Sequence, residues 1–147
     1  MSRSGNVRHS SYVGMVSACV LLLSNLGCAQ LQAPAVIVEP GLSFALAPGQ
    51  TAEIKRSDTR ITFRQVREDS RCPTDVTCVW EGDAKVEVVI SRAGAPDELR
   101  ILSIKAPDNT TSVGNLRIKF VGLTPVPRQA DAGAPKNYLA EFVAESG

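Results

Sequence analysis

Two cysteines and a cluster of acids are the side chains of this sequence best suited to chemistry. Cys72 and Cys78 lie too far apart for a CxxC redox centre. The single histidine, His9, is near the N-terminus in a segment that we expect to be removed. The remaining chain therefore lacks the imidazole that a mixed Cys/His zinc site or a His-activated nucleophile requires. In an oxidising compartment the two cysteines would instead pair, and we predict a structural Cys72–Cys78 disulfide.

Acidic residues are concentrated around these cysteines. Residues 67–83 contain Glu68, Asp69, Asp75, Glu81 and Asp83. Converging carboxylates can bind Ca²⁺ through oxygen ligands, and Asp69, Asp75 and Asp83 are the weak candidates. Two carboxylates also form the catalytic pair of many glycoside hydrolases, which makes a small hydrolase a further alternative. The spacing fits no EF-hand, and Arg67 and Arg71 lie among the acids, so we favour surface ion pairs or a cap on Ser70 and assign no catalytic residue, metal or cofactor.

The N-terminal 29 residues have the organisation of an export signal. Arg3 and Arg8 precede a nearly continuous apolar run at residues 12–26, which is short for a membrane-spanning helix. Gly27 and Cys28 then resemble a bacterial lipobox, although Asn25 departs from its pattern; acylation of Cys28 would anchor the mature chain. Cleavage after Ala29 is the alternative, giving a periplasmic or secreted protein, and a retained signal anchor is a third. We favour the lipoprotein interpretation.

Charge argues against nucleic acid as a partner. Removing Arg3 and Arg8 reduces the 16 basic residues to 14, against 15 acidic residues. Nucleic-acid binding requires clustered positive charge. The partners we expect are an envelope or extracellular protein or glycan, and a membrane through the lipid anchor.

Alternating apolar and polar residues indicate strands in the remaining chain. After a tether at 30–41, in which residues 35–38 could form a short first strand, this period-2 pattern recurs in short segments, the clearest being 85–92, where Val86, Val88 and Ile90 share one face. No window shows a convincing helical apolar stripe. Seven or eight strands over residues 42–147 predict an all-β, antiparallel β-sandwich or a partly open barrel, with an irregular segment at 122–135.

Residues 67–83 stand out as a non-strand insertion that contains the only tryptophan. The segment DSRCP at 69–73, followed by CVW at 78–80 and Gly82, together with GLTPVP at 122–127, resembles a family of small exported bacterial proteins and lipoproteins. Glu81 departs from the family pattern, which favours alanine there. The resemblance implies a fold and export but no reaction.

Two interpretations of the cysteine segment remain open. In one it is a pinned corner, with the Trp80 ring packed on the disulfide or the sheet and Gly82 returning the chain to the next strand. In the other it is a rigid recognition loop. The candidate binding residues are Thr74, Asp75, Val76, Thr77, Trp80 and Glu81. The leading functional hypothesis is a non-enzymatic binding or accessory domain of the cell envelope. The alternatives are an inhibitor-like or Ca²⁺-binding module that uses this loop, or the small hydrolase.

Overall fold

Strands dominate the part of the chain that is described. The computed structural model describes residues 34–134 and 136–147; the predicted export signal, with Cys28 and the start of the tether, lies outside them. A 3-10 turn at Gln129–Asp131 is the one helical segment in these ranges, and they contain no apolar helix of membrane-spanning length. The strands are β1 (Val36–Val38), β2 (Ser43–Leu46), β3 (Thr51–Ile54), β4 (Thr59–Asp69), β5 (Ala84–Arg92), β6 (Glu98–Ser103), β7 (Thr110–Val113), β8 (Leu116–Thr124) and β9 (Leu139–Ser146).

These strands form two separate sheets. One has the order β1-β3-β4-β5-β6 and the other the order β2-β9-β8-β7. Every neighbouring pair is antiparallel except β1 and β3, which run parallel. The predicted all-β, antiparallel sandwich class is therefore confirmed. The described residues form nine strands rather than seven or eight, because two short segments, β1 and β7, are also paired.

The core follows from the alternation of side chains along each strand. Successive side chains of a strand point to opposite faces of its sheet, so one apolar set per strand is buried. Ile61 and Phe63 of β4 are fully buried, as are Val86 and Val88 of β5. The second sheet contributes Leu116, Ile118 and Phe120 from β8, and Ala140, Phe142 and Ala144 from β9.

Phe142 is the centre of an aromatic cluster that joins the two sheets. Its ring centroid lies 5.6 Å from that of Phe120 and 6.0 Å from that of Phe44, both in its own sheet. Phe63 of the other sheet is 6.3 Å away in an edge-to-face arrangement. Tilted and edge-to-face arrangements are those that aromatic rings prefer in protein cores.

Two predicted boundaries were wrong. The insertion was expected to begin at residue 67, but β4 continues to Asp69, and Glu68 and Asp69 pair with Lys85 and Ala84 of β5. Likewise, β8 continues to Thr124, although residues 122–135 were expected to be irregular. In both cases backbone hydrogen bonds to a neighbouring strand maintain the strand where the side-chain pattern has lost its alternation. The segment that contains the cysteines is therefore residues 70–83.

The predicted tether contains a paired strand. β1 lies within residues 30–41 and aligns Val36 with Ala52 and Val38 with Ile54 of β3. Val38 is buried in the core, whereas Val36 and Ile37 are exposed. β1 is therefore the edge strand of the five-stranded sheet and covers the edge that β3 would otherwise expose.

Truncation of the central aromatic ring should destabilise the sandwich strongly. We expect Phe142→Ala to lower the free energy of unfolding by about 3–5 kcal/mol, because it leaves a cavity between the sheets. Leu139→Ala on the same strand is the control, since Leu139 is exposed, and it should cost under about 1 kcal/mol. Urea unfolding of both variants measures the difference, and equal costs would contradict the central role of Phe142.

Candidate functional site

A short ladder forms the base of the cysteine loop, residues 70–83. The backbone N–H of Ser70 donates to the carbonyl of Asp83 at 2.8 Å, and that of Cys72 donates to the carbonyl of Glu81 at 3.0 Å. The Cys72–Cys78 disulfide, with a Cα–Cα distance of 6.0 Å, closes the loop just beyond this ladder. The predicted disulfide is confirmed. Such bonds are typical of proteins outside the reducing cytosol, which supports a non-cytoplasmic location.

Gly82 permits the two arms of the loop to approach each other. Its φ is +69°, in the left-handed region. This agrees with the expectation that Gly82 turns the chain back towards the next strand. A Cβ atom at this position would lie 1.7 Å from the carbonyl oxygen of Ser70. Both the backbone conformation and the lack of space therefore require glycine at this position.

A buried ion pair connects the loop to both sheets. The Arg71 guanidinium donates to both carboxylate oxygens of Asp69, at 2.7 Å and 3.0 Å, in a bidentate arrangement. It also donates to the carbonyl of Leu123, and at 2.9 Å to that of Pro125. Asp69 ends β4 of one sheet and Leu123 lies in β8 of the other, so Arg71 joins the sheets at this end of the sandwich. Only 13% of the Arg71 side chain and 5% of the Asp69 side chain are exposed, so the expectation of surface ion pairs was wrong here.

Two further side chains complete the environment of Asp69. The Tyr138 hydroxyl donates to its Oδ2 at 2.9 Å, and Lys136 Nζ lies 3.4 Å from the same oxygen. Burial alone would raise the pKa of Asp69, but hydrogen bonds from Arg71 and Tyr138 and the charges of Arg71 and Lys136 outweigh it and lower the pKa to about 2. Burial, together with the adjacent Asp69 carboxylate, raises the pKa of Tyr138, which keeps its hydroxyl protonated as a donor.

The cysteine loop is also bound to the connection between β8 and β9. The Thr74 N–H donates to the carbonyl of Pro127 at 3.0 Å. The Asp75 carboxylate accepts hydrogen bonds from the backbone N–H groups of Gln129, at 2.7 Å, and Ala130, at 3.4 Å, which begin the 3-10 turn. The hydrogen bonds from Arg71 to Leu123 and Pro125 join the two segments that the sequence motif comprises, 69–73 and 122–127. The contacts of Thr74 and Asp75 extend this contact, so the loop and the β8–β9 connection stabilise each other.

The outer part of the loop projects into solvent. Val79 is 92% exposed and Trp80 is 82% exposed, so the prediction that the Trp80 ring packs on the disulfide or the sheet was wrong. All six candidate binding residues are exposed, including Glu81 and the hydrogen-bonded Asp75. We call five uncharged, exposed residues the loop tip: Thr74, Val76, Thr77, Val79 and Trp80.

The three carboxylates considered for Ca²⁺ have separate partners. Asp69 binds Arg71 and Tyr138, as described above, and Asp75 binds backbone N–H groups. Asp83 accepts hydrogen bonds from the Ser103 hydroxyl at 2.8 Å and 3.0 Å and from the Ala84 N–H at 2.8 Å. Within residues 34–134 and 136–147 no group of three or more His, Cys, Asp or Glu side chains is arranged to hold a metal ion.

Sequence analysis did not identify the residues that hold the loop in place. Arg71 was treated as one charge among several, and the contacts of Lys136 and Tyr138 with Asp69 were not anticipated. The available signal was the DSRCP segment itself, in which Asp69 and Arg71 are two residues apart and so lie on the same side of an extended chain. No family model, curated protein or solved structure matches this chain.

Loss of the Asp69 carboxylate should destabilise the fold and change its acid sensitivity. Because the folded-state pKa, about 2, lies below the ordinary value of 3.8, the contribution of Asp69 is complete above pH 3.8 and is lost as the pH falls towards 2. We expect Asp69→Asn to lower the unfolding free energy at pH 7 by about 2 kcal/mol, because Arg71 then lacks its counter-ion. The variant should also lose part of the wild-type decline in stability between pH 4 and pH 2.

Urea unfolding over that pH range measures both effects. Glu68→Gln is the control at pH 7, because the neighbouring Glu68–Lys85 pair is largely exposed and should contribute far less than the Asp69–Arg71 pair. An Asp69→Asn variant with wild-type stability and an unchanged pH profile would contradict the role given to Asp69.

Substitution of Gly82 tests the close packing of the loop arms. Gly82 and Gly94 both have positive φ, but a Cβ at Gly94 would meet no atom within 4 Å. Gly94→Ala therefore adds only backbone strain, whereas Gly82→Ala adds a clash with Ser70. We expect Gly82→Ala to be the more destabilising by about 1–3 kcal/mol in thermal or urea unfolding. An equal loss of stability in Gly82→Ala and Gly94→Ala would show that the two arms of the loop can move apart without destabilising the fold.

Proposed function

We propose that this protein is an exported, lipid-anchored and non-enzymatic binding domain of the cell envelope, and that the loop tip is its contact surface. The observation that carries this proposal is the exposure of Val79 and Trp80 on a segment whose base is immobilised. A solvent-exposed tryptophan beside an exposed valine is unusual unless the surface binds something, and tryptophan is enriched among residues that dominate binding energy.

Pre-organisation supports the same proposal. The loop is fixed by its ladder, by the disulfide, by the Asp69–Arg71 pair and by the contacts of Thr74 and Asp75 with the β8–β9 connection. A loop already held in one conformation loses little entropy on binding. Binding loops on a rigid β-scaffold are a common arrangement in proteins.

The acids near the loop favour binding over catalysis. A general acid at neutral pH needs a raised pKa, whereas the Asp69 pKa is lowered to about 2 by Arg71, Tyr138 and Lys136. Asp75 and Asp83 are each occupied by two or more hydrogen bonds within the chain. Their contacts give them structural roles in positioning the loop.

Export and anchoring are supported by separate observations. The disulfide is consistent with an oxidising compartment. The basic, apolar and Gly-Cys sequence of the first 28 residues is typical of a lipoprotein signal. Mass spectrometry of the mature N-terminus tests the anchor: an acylated Cys28 supports it, and a free Gln30 contradicts it.

Site-specific photo-crosslinking tests the contact surface. A benzoylphenylalanine at position 79 should form adducts in cells that export the protein, because Val79 is exposed and its replacement leaves the core intact. The same probe at Asn115, an exposed residue in the turn at the opposite end of the sandwich, is the matched control and should form few.

The outcomes of this experiment are distinct. Adducts from position 79 and not from position 115 support the loop tip, and a trapped enzyme among them would identify the inhibitor-like form of the proposal. Equal labelling from both positions, or adducts from position 115 alone, would overturn it.

A further inference from the structure

We propose that the partner of the loop tip is a lipid surface: the tip enters the headgroup region of the same membrane that holds the Cys28 anchor. This inference rests on the proposed function and names the class of its partner. Three observations support it, namely the chemistry of the tip, its size, and the direction from which the chain enters the fold.

The chemistry of the tip suits a membrane interface. Its five side chains are uncharged; the charged residues beside them are Asp75, between Cys72 and Trp80, and the exposed Glu81, which follows Trp80. The Asp75 carboxylate is already bound to the N–H groups of Gln129 and Ala130. Tryptophan concentrates at membrane–water interfaces, where its ring is partly buried and its N–H finds a polar partner.

The size of the tip favours a lipid surface over a globular protein. A stable protein interface uses roughly 20–30 residues on each side, whereas the uncharged tip has five. A small apolar contact is sufficient when a second attachment holds the protein at the surface, because the contact then forms at a high effective concentration. The acyl chain on Cys28 would be that second attachment.

The topology places the start of the described chain on the side facing the tip. β1 runs parallel to β3 and therefore antiparallel to β4, whose last residue, Asp69, leads into the cysteine loop. Residues that precede Val36 consequently leave the sheet in the direction of the loop. A chain that entered from the opposite end would hold the tip away from its anchor.

The length of the tether permits this arrangement. Val36 is level with Ile61, and two bulges in β4 make the span from Ile61 to Asp69 equal to six residues of β5, Ile90 to Ala84, or about 20 Å. Cys28 is eight residues from Val36 and can reach at most about 27 Å. A chain of that length is therefore long enough for Cys28 to reach the level of Asp69. The ladder places Cys72 beside Glu81, so the tip lies a further ~10 Å beyond Asp69, similar to the ~5–10 Å depth of interfacial segments.

Trp80 supplies a specific probe for the test, because it is the one tryptophan of the chain. Residues 28–147 contain all nine described strands and the core. The test uses a protein of residues 28–147, whose cysteines are Cys28, Cys72 and Cys78. With Cys72 and Cys78 paired, the thiol of Cys28 is free, and it is coupled to maleimide-functionalised lipid in phosphatidylcholine vesicles. Coupling replaces natural acylation, so the test does not depend on how the signal is processed.

We expect the Trp80 emission of the coupled protein to shift to shorter wavelength and to be quenched by lipids that carry bromine near the headgroup. A control variant reverses the direction of attachment: it carries Cys28→Ser and a cysteine appended after Gly147. The Gly147 N–H donates to the carbonyl of Asn115, so this cysteine lies at the end of the sandwich opposite the loop tip. Coupled through that cysteine, Trp80 should keep its solvent-exposed emission. Val79→Ser coupled through Cys28 should show a smaller shift.

Failure of this inference can be told apart from failure of the proposed function. If Trp80 of the Cys28-coupled protein keeps its solvent-exposed emission and escapes quenching, the lipid surface is excluded as partner. A quenching signal equal in both coupling geometries would also overturn the inference, because it would show contact unrelated to the direction of the tether. Protein or glycan adducts from position 79 would then retain the loop tip as a binding surface with a different partner.

Discussion

The Asp69–Arg71 pair is the interaction on which the arrangement of the loop depends. It lies where β4 of one sheet meets β8 of the other, and one guanidinium group satisfies a carboxylate and two backbone carbonyls. Because both side chains are buried, breaking either partner would leave a charge with little access to water. The pair therefore joins the two sheets at the end of the sandwich from which the cysteine loop projects.

A series of contacts fixes the position of the cysteine loop relative to the core. The aromatic cluster around Phe142 fixes the distance between the sheets, and the Asp69–Arg71 pair fixes their ends. The ladder at Ser70 and Cys72, the disulfide and the Asp75 carboxylate then fix the loop itself. The tip needs no apolar packing of its own, which leaves Val79 and Trp80 free to contact a partner.

The same contacts use three of the acids of this region, Asp69, Asp75 and Asp83. Carboxylates gathered in one stretch of sequence suggested a metal site or a catalytic pair, but in the fold they separate. Asp69 turns inward to Arg71, Asp75 towards the β8–β9 connection, and Asp83 towards Ser103 on β6. Each carboxylate satisfies donors that would otherwise be unpaired near the end of the sandwich. The negative charge is therefore distributed among three structural contacts.

The all-β class, the faces of the main strands and the disulfide could be predicted from residue types and their spacing. Alternation at Val86, Val88 and Ile90 is a local property, and two cysteines without a histidine, in a chain expected to be exported, leave pairing as the expected outcome. Only the tertiary structure decided where β4 and β8 end, because backbone pairing with a neighbouring strand does not depend on side-chain polarity. It alone also decided the partners of Arg71, which lie more than fifty residues away along the chain. The exposure of Trp80 was decided in the same way: its apolar ring predicts burial, and the rigid ladder beneath it directs the ring into solvent.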